Sequence, residues 1–263
     1  MAYKQRSAQD VIEGGTGVSS NTVYAVLCGG TTTTNPIQSI ASVGTSGQVL
    51  TSNGAGALPT FQAAGGGISG PGSSTDNALA RWNGTGGTAV QNSTVIVTDN
   101  GEMTNASQPA FLSYLATTSG AVTGNGTAVI MGDTDVMASL TAVFDQNSDF
   151  TDGSSTGAYL DAPVAGKYLL ICGFGYSAVT SSHTSAVITM ITSNNSYITM
   201  TWDAANLRNN SDAEILNNYI FTDMDIADLA TVRTTVSSGT KVVILTQPQS
   251  GDIKCFFSGY LVC

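Results

Sequence analysis

Between Gly14 and Thr75 the chain contains no Asp, Glu, Lys, Arg or His. A free-standing protein surface ordinarily relies on charge for solubility. Such a run is therefore either low-complexity linker or a segment that something else covers. Short apolar pieces recur in it and speak against linker. "NTVYAVLCGG" sets Val23 and Ala25 against Tyr24 and Val26, and "NPIQSIASVG" places Ile37 and Ile40 near Val43. "GQVLTSNG" ends in Asn53-Gly54, a hairpin or tight-turn signal, and "LPTFQ" follows with Pro59 suited to a turn or an edge. Each piece is too short, and its apolar face too thin, to hold a sheet by itself. Two further copies of the same chain would supply edges to pair with and an axis along which Val, Ile, Leu and Phe are covered. The sequence thus predicts an N-terminal attachment segment over 1–20, then an extended trimeric fibrous β shaft over 21–104.

The rest of the predicted shaft is similar in kind. "NALARWNG", "AVQNST" and "VIVTDNGEM" read as short strands, with turns at Asn83-Gly84 and Asn100-Gly101 and one large anchor in Trp82. No fixed period is present, so this is irregular fibrous β rather than a solenoid.

Composition changes near Thr104–Gln108, where strands lengthen and residues grow larger. "GKYLLICGFGYSA" puts Tyr168, Leu170, Cys172, Phe174 and Tyr176 on one face, with Leu169 and Ile171 opening the other. "SAVITMITSN", "ATVRTTVSSGTKVVILTQ" and "CFFSGYLVC" read as further strands, the second broken at Ser238-Gly239. The longest helical candidate is "DAANLRNNSDAEIL". This pattern predicts an all-β antiparallel sandwich over 105–263.

Four separated motifs in that region, "PAFLSYLA" (109–116), "VFDQNSDF" (143–150), "LDAPVAGKYLL" (160–170) and "FFSGYLV" (256–262), resemble in order and spacing those of the C1q/TNF-like jelly-roll superfamily. The resemblance implies a ten-stranded jelly roll that assembles as a homotrimer. Upstream, "GGTG" (14–17), "GQVLTSNGAGALPTFQ" (47–62) and "STDNALARWNGTGGTAVQNS" (74–93) resemble shaft segments of bacteriophage tail fibres. Collagen-like Gly-X-Y is absent. Phe111, Tyr114, Tyr168, Phe257, Gly259, Tyr260 and Leu261 are then candidates for jelly-roll core or trimer interface, with both alternatives open. Gly259 is costly inside a strand unless something approaches closely, and a threefold axis is one place where that is expected.

Charge narrows the function classes. The net charge is −10; residues 1–100 carry three basic and four acidic residues, the remainder five and fourteen. An acidic, aromatic-poor surface suits neither nucleic acid nor anionic lipid, so no nucleic-acid partner is expected. No apolar run approaches the roughly 20 residues of a membrane span, and "MAYKQRSAQDVIEGG" lacks a signal-peptide core, so no membrane insertion is expected. Cys28, Cys172, Cys255 and Cys263 match no zinc or redox spacing and read as buried free thiols of a protein made in a reducing cytoplasm, with a crosslink at the terminal Cys263 as the alternative. Sequons at Asn83, Asn92, Asn105 and Asn125 are read as unmodified.

No catalytic, cofactor or metal site is expected. His183, in "TSSHTSA", reads as a solvent-facing loop residue rather than a base, and no nucleophile elbow or phosphate loop is present. Asp133 and Asp135, Asp145, Asp149 and Asp152, and Asp223, Asp225 and Asp228 could donate oxygens to calcium, but turn chemistry is the preferred reading and no cofactor is expected. The expected function is that of a structural virion protein. Its N-terminus would dock to a tail or baseplate protein, and its three heads would bind a host surface receptor, such as a glycan, with avidity. Contact loops are expected at 177–185, 193–196 and 203–212, with His183, Asn194, Asn195, Trp202 and Arg208 as candidates. A bacterial cell-surface or spore-surface filament with the same head is the alternative, with an extracellular or cell-surface location, and a glycan-degrading enzyme is the third reading.

Overall fold

Glycine, asparagine and proline punctuate the first part of the chain so closely that its strands stay short. The computed structural model describes residues 16–32, 35–65, 67–207, 214–246 and 252–263, and the chain divides at Ser93/Thr94 into two compact units. In the first, β1 (Leu27–Cys28) pairs with β2 (Gln38–Ser39), and β3 (Gln48–Thr51) with β4 (Thr60–Ala63), both antiparallel. Then come β5 (Ala78–Trp82) and β6 (Val90–Val97), the latter joining two pieces that read as separate in the sequence.

Two details differ from expectation. Only Leu27–Cys28 of the 21–30 piece is strand. The Ala25 N–H donates to the Thr22 carbonyl (3.2 Å) and Tyr24 sits at φ 64°, so a turn cancels the alternation. The β3–β4 connection runs from Ser52 to Pro59 and is longer than a two-residue turn; the Asn53 amide spans it, donating to the Leu58 carbonyl (2.7 Å) and the Thr60 hydroxyl (3.1 Å). Among the described residues of 16–93, Ile40 is the one buried residue.

The second unit continues with β7 (Met103–Asn105), β8 (Ala110–Leu115), β9 (Ala121–Thr123), β10 (Ala128–Ile130), β11 (Leu140–Gln146), β12 (Phe150–Thr151) and β13 (Tyr159–Asp161). β14 (Gly166–Ser177), β15 (Ser185–Thr192), β16 (Ser196–Trp202), helix α1 (Ala204–Leu207), β17 (Glu214–Met224), β18 (Leu229–Ser237), β19 (Val243–Leu245) and β20 (Phe256–Leu261) complete it. Among the described residues of the helical candidate, Ala204–Leu207 is helix and Glu214 already belongs to a strand; 208–213 lie outside the described residues.

One sheet runs β11-β8-β20-β14-β19-β9, with β17 along the other edge of β14; the second runs β12-β13-β18-β15-β16, with β10 on β18. The first long strand of this unit, β8, thus lies beside the last, β20. Two five-stranded layers, β11-β8-β20-β14-β17 and β12-β13-β18-β15-β16, make a ten-stranded jelly roll, and β9, β10 and β19 are short additions. Residues just before β8 are anchored to it. The Gln108 amide donates to the Leu261 carbonyl (2.6 Å), and the Gln146 amide to the carbonyls of Asn105 (2.6 Å) and Gln108 (2.9 Å).

The core lies between the layers. Tyr168, Leu170, Cys172, Phe174 and Tyr176 all point into it from β14, as the period-two pattern requires. They meet Phe111 and Leu115 of β8, Phe257 of β20, Ile188 and Met190 of β15, and Val232 and Val236 of β18. Phe111 stacks on Phe150 (4.1 Å between centroids), and Phe257 meets both rings edge-on at 5.0 and 5.7 Å. The buried hydroxyls are partnered: Tyr168 donates to the Val164 carbonyl (2.8 Å), and Tyr176 bonds Thr234 (2.6 Å). Burial pushes the Cys172 and Cys255 thiols up to about 12 and about 11, so both are inert. Cys28 is only half-buried and Cys263 is exposed, which corrects the expectation of four buried thiols.

Gly259 has a simpler cause than a threefold axis. It lies opposite Phe111 on one side and Leu170 on the other. A Cβ there would press on the Leu170 Cδ2 (2.8 Å), the Phe111 ring (3.0 Å) and the Leu169 carbonyl (3.1 Å). Glycine makes room for two large core side chains of its own chain.

Candidate assembly face and contact loops

The outward face of the β11-β8-β20-β14-β17 layer follows from strand register. Gln146, Ala110, Tyr260, Leu169 and Phe221 form one row across it. Phe144, Leu112, Ser258, Ile171 and Tyr219 form the next, and Thr141, Tyr114, Phe256, Gly173 and Asn217 the third. None of these side chains is charged at neutral pH. With strands ~4.8 Å apart and ~6.7 Å per two residues, the rows cover about 480 Å². Gln146, Ser258, Thr141 and Asn217 interrupt the apolar area of this face, which is therefore smaller than that footprint. Its largest side chains stand well out: Tyr219 is 74% exposed, Phe221 58% and Phe144 48%. Just beyond the first row the Lys167 ammonium pairs with Asp223 at 2.6 Å.

The outward face of the other layer is different. There Thr201, Thr235, Thr189, Thr231 and Arg233 surround Val187 and Ile198. Hydroxyls and a guanidinium set it apart from the charge-free rows, although Ile198 stands 70% exposed and Ile130, Ile191 and Leu229 also face outward.

The candidates for core or interface separate cleanly. Phe111, Tyr168, Phe257 and Gly259 face the core. Leu261 packs against the core from its margin. Tyr114 and Tyr260 belong to the outward rows, together with Phe144, Leu112, Phe256, Ile171, Tyr219 and Phe221, which the sequence did not single out. Their signal was present as the alternate positions of each strand, but only the register shows that they meet.

The contact-loop candidates also separate, onto opposite ends of the head. Ala110 lies opposite Tyr260, and Gly166 opposite Met224, so the chain comes into the jelly roll at the end where β20 finishes and β14 begins. Asn194 and Asn195 are at this near end: the Asn194 amide donates to Asp228 (2.8 Å), and Ser193 N–H to the Leu229 carbonyl (2.9 Å). Trp202, opposite Ala186, and His183, just before Ser185, are at the far end. Trp202 is not free in a loop; its ring lies 5.5 Å from Tyr176 at 54°, and its Nε1 is enclosed without a hydrogen-bond partner among the described residues. Arg208 lies outside the described residues.

His183 is the clear correction. It is fully buried, not solvent-facing. Its Nδ1 accepts from the Thr180 N–H (2.9 Å), and its Nε2 is 3.1 Å from the Thr240 carbonyl. A small, polar local sequence concealed a residue around which loops from distant parts of the chain close.

The carboxylates are used in turns. Asp228 accepts from the Asp225 N–H (2.9 Å), Asp133 from the Asp135 N–H (3.0 Å), and Asp152 from the buried Ser113 hydroxyl (2.6 Å). Asp145 accepts from the N–H groups of Asp149 (3.2 Å) and Phe150 (3.4 Å), and partial burial raises its carboxyl above the ordinary range. Among the described residues no three His, Cys, Asp or Glu side chains come together as a metal site.

No protein-family model matches the chain, and no curated protein matches it. Solved structures do. Murine APRIL, in its crystal structure at pH 8.5, is similar at 10% identity and a TM-score of 0.37, over 59% of this chain and 99% of that one. The globular domain of zebrafish complement 1qA protein is similar at 14% identity and 0.36, over 59% and 98%. The PRD1 vertex protein P5 is similar at 9% identity and 0.40, over 59% and 96%.

Proposed function

We propose that the chain is a structural attachment protein of a virion, a homotrimeric tail fibre or tail-spike-like appendage. Three heads meet through the outward face of the β11-β8-β20-β14-β17 layer, and sister chains cover the charge-free stretch from Gly14 to Thr75. The observation that carries this reading is the three charge-free rows with aromatic side chains standing in water. Burying such a face contributes roughly 25 cal/mol per Å² of apolar area. A closed ring of identical copies buries it on every subunit without leaving an open end.

In this arrangement the N-terminus attaches to a tail or baseplate protein. The near end of each head receives the chain, and the far-end loops around 178–184, 203–207 and 238–242 point toward a host surface receptor. Three identical tips give avidity from weak single contacts. In this reading the role is one of binding, and the single histidine, engaged at both ring nitrogens, serves structure. Native mass measurement is expected to give three times 26.8 kDa. Deletion of the head is expected to abolish adsorption to the host. A stable monomer, or undiminished adsorption by the headless particle, would end this reading.

A further inference from the structure

We propose that His183 is a proton-operated latch that holds the far end of the head closed when its imidazole is neutral and releases it on acidification. The tautomer follows from geometry. A backbone N–H can only donate, so the Thr180 N–H at 2.9 Å requires a bare lone pair on Nδ1. The ring proton is then on Nε2, where it donates to the Thr240 carbonyl at 3.1 Å.

Connections from four parts of the chain meet around this residue, two of them through the ring and two through backbone bonds. It sits in the β14–β15 connection and bonds the β18–β19 connection through Thr240. Its own carbonyl accepts from the Ala205 N–H at the start of α1 (2.9 Å). The β9–β10 connection joins through Gly124, whose carbonyl accepts from the Gly239 N–H (3.0 Å). A Cβ at Gly239 would fall on the imidazole, and one at Gly124 on the Thr240 carbonyl oxygen, so both positions must be glycine for the ring to fit.

A second proton on the ring must take the Nδ1 lone pair, and the Thr180 N–H then loses its acceptor. The Thr180 hydroxyl, 3.0 Å from Nδ1, is the oxygen that the new N–H could reach, and it is already bonded to Ser182 (2.8 Å). Among the described residues of these connections the charged side chains are Lys241, itself cationic, and Asp203. The Asp203 carboxylate caps the Ala205 N–H (3.1 Å) and the Asn206 amide (2.8 Å). A buried N–H left without an acceptor favours the open arrangement. Proton binding therefore works against closure, and the latch weakens as pH falls. Its effect on host contact rests on the function proposed above; the latch itself does not.

With one histidine in the chain, isotope-labelled histidine gives a single imidazole signal from the full-length protein. At about pH 8 it should report the Nε2–H tautomer. Amide exchange at 124–126, 180–184 and 239–242, corrected for intrinsic rates, should rise by about tenfold or more by pH 5, with the midpoint of the imidazole titration, while β14 and β20 stay protected. In His183→Asn the side-chain oxygen still accepts from the Thr180 N–H but cannot titrate, and the corrected exchange should be flat across the same range. Unchanged exchange in the native protein, a midpoint displaced from that of the imidazole, or simultaneous loss of protection in β14 and β20 would overturn the latch. So would a full transition in His183→Asn. If that variant does not fold, the two measurements on the native protein still decide. None of these readouts depends on subunit mass or adsorption.

Discussion

The two units of this chain draw on the same residues to opposite ends. The second buries Tyr168, Leu170, Phe174, Tyr176, Phe111 and Phe257 between two sheets of its own making. The first leaves Val23, Tyr24, Leu27, Val49, Leu50, Leu79 and Trp82 exposed, with no charged side chain between Gly14 and Thr75 to keep them in water. A head with an interior can organise itself, whereas strands of two to five residues, such as β1 to β5, need partners from outside. The difference teaches that apolar content alone does not make a domain; the strands must also be long enough for two layers to face each other.

The strongest way to break this contrast is to separate the units. Residues 94–263 alone are expected to unfold in one cooperative transition, and residues 1–93 alone to show none, by calorimetry and circular dichroism. A cooperative transition in a monomeric 1–93 fragment would remove the distinction. Next in size is a pair of truncations. Phe257→Ala empties a site bounded by Phe111 and Phe150 and should cost about 3–5 kcal/mol in denaturant unfolding. Leu50→Ala, on a strand exposed in the single chain, should cost within about 0.5 kcal/mol if the chain acts alone. In the assembled fibre it should cost several times that, because sister chains would bury it.

How far the sequence could be read follows from the same contrast. In β14 burial alternates from Lys167 to Cys172, and Phe174 and Tyr176 continue the same face, each preceded by a glycine, so the core face was legible residue by residue. In the first unit one left-handed residue, Tyr24, was enough to end a strand that the apolar pattern supported. Gly259 was recognisable as a point of close approach, but whether a side chain or a sister chain approached depended on pairing with β8 and β14. Opposite ends of a strand look alike in a sequence, so Asn194 and Trp202 could be grouped as contact residues although the fold sets them apart. His183 was illegible for a related reason: its Nε2 partner is Thr240, the room for its ring is left by Gly124 and Gly239, and nothing near it in sequence is large or apolar.

A smaller effect separates the two faces of the head. Tyr219→Asp or Phe221→Asp places a carboxylate in the charge-free rows while touching no core residue. Either is expected to leave the unfolding transition of the head in place and to weaken assembly by about 2 kcal/mol or more, read as a shift toward monomer in sedimentation. Arg233→Ala, on the outward face of the other layer, is the matched control and should leave the mass unchanged. If Arg233→Ala dissociates the protein and Tyr219→Asp does not, the faces have been assigned the wrong way round.

The smallest expected effect decides where the assembly face stops. Lys167 and Asp223 pair at 2.6 Å beside the first row, and in the single chain their side chains are 46% and 70% exposed. An ion pair of that exposure contributes about 0–1 kcal/mol and is weakened by salt. Asp223→Asn should therefore change head stability by less than about 1 kcal/mol at low ionic strength and by nothing measurable at high. In the trimer the outcome depends on whether the rim stays wet. If the pair remains in water, the substitution is as mild in the assembly as in the isolated head. If sister subunits enclose it, Lys167 is left as a buried cation without its partner, and the cost rises to several kcal/mol with little sensitivity to salt. Comparing the salt dependence of Asp223→Asn in monomer and trimer thus locates the border between the apolar rows that are covered and the hydrated margin that is not.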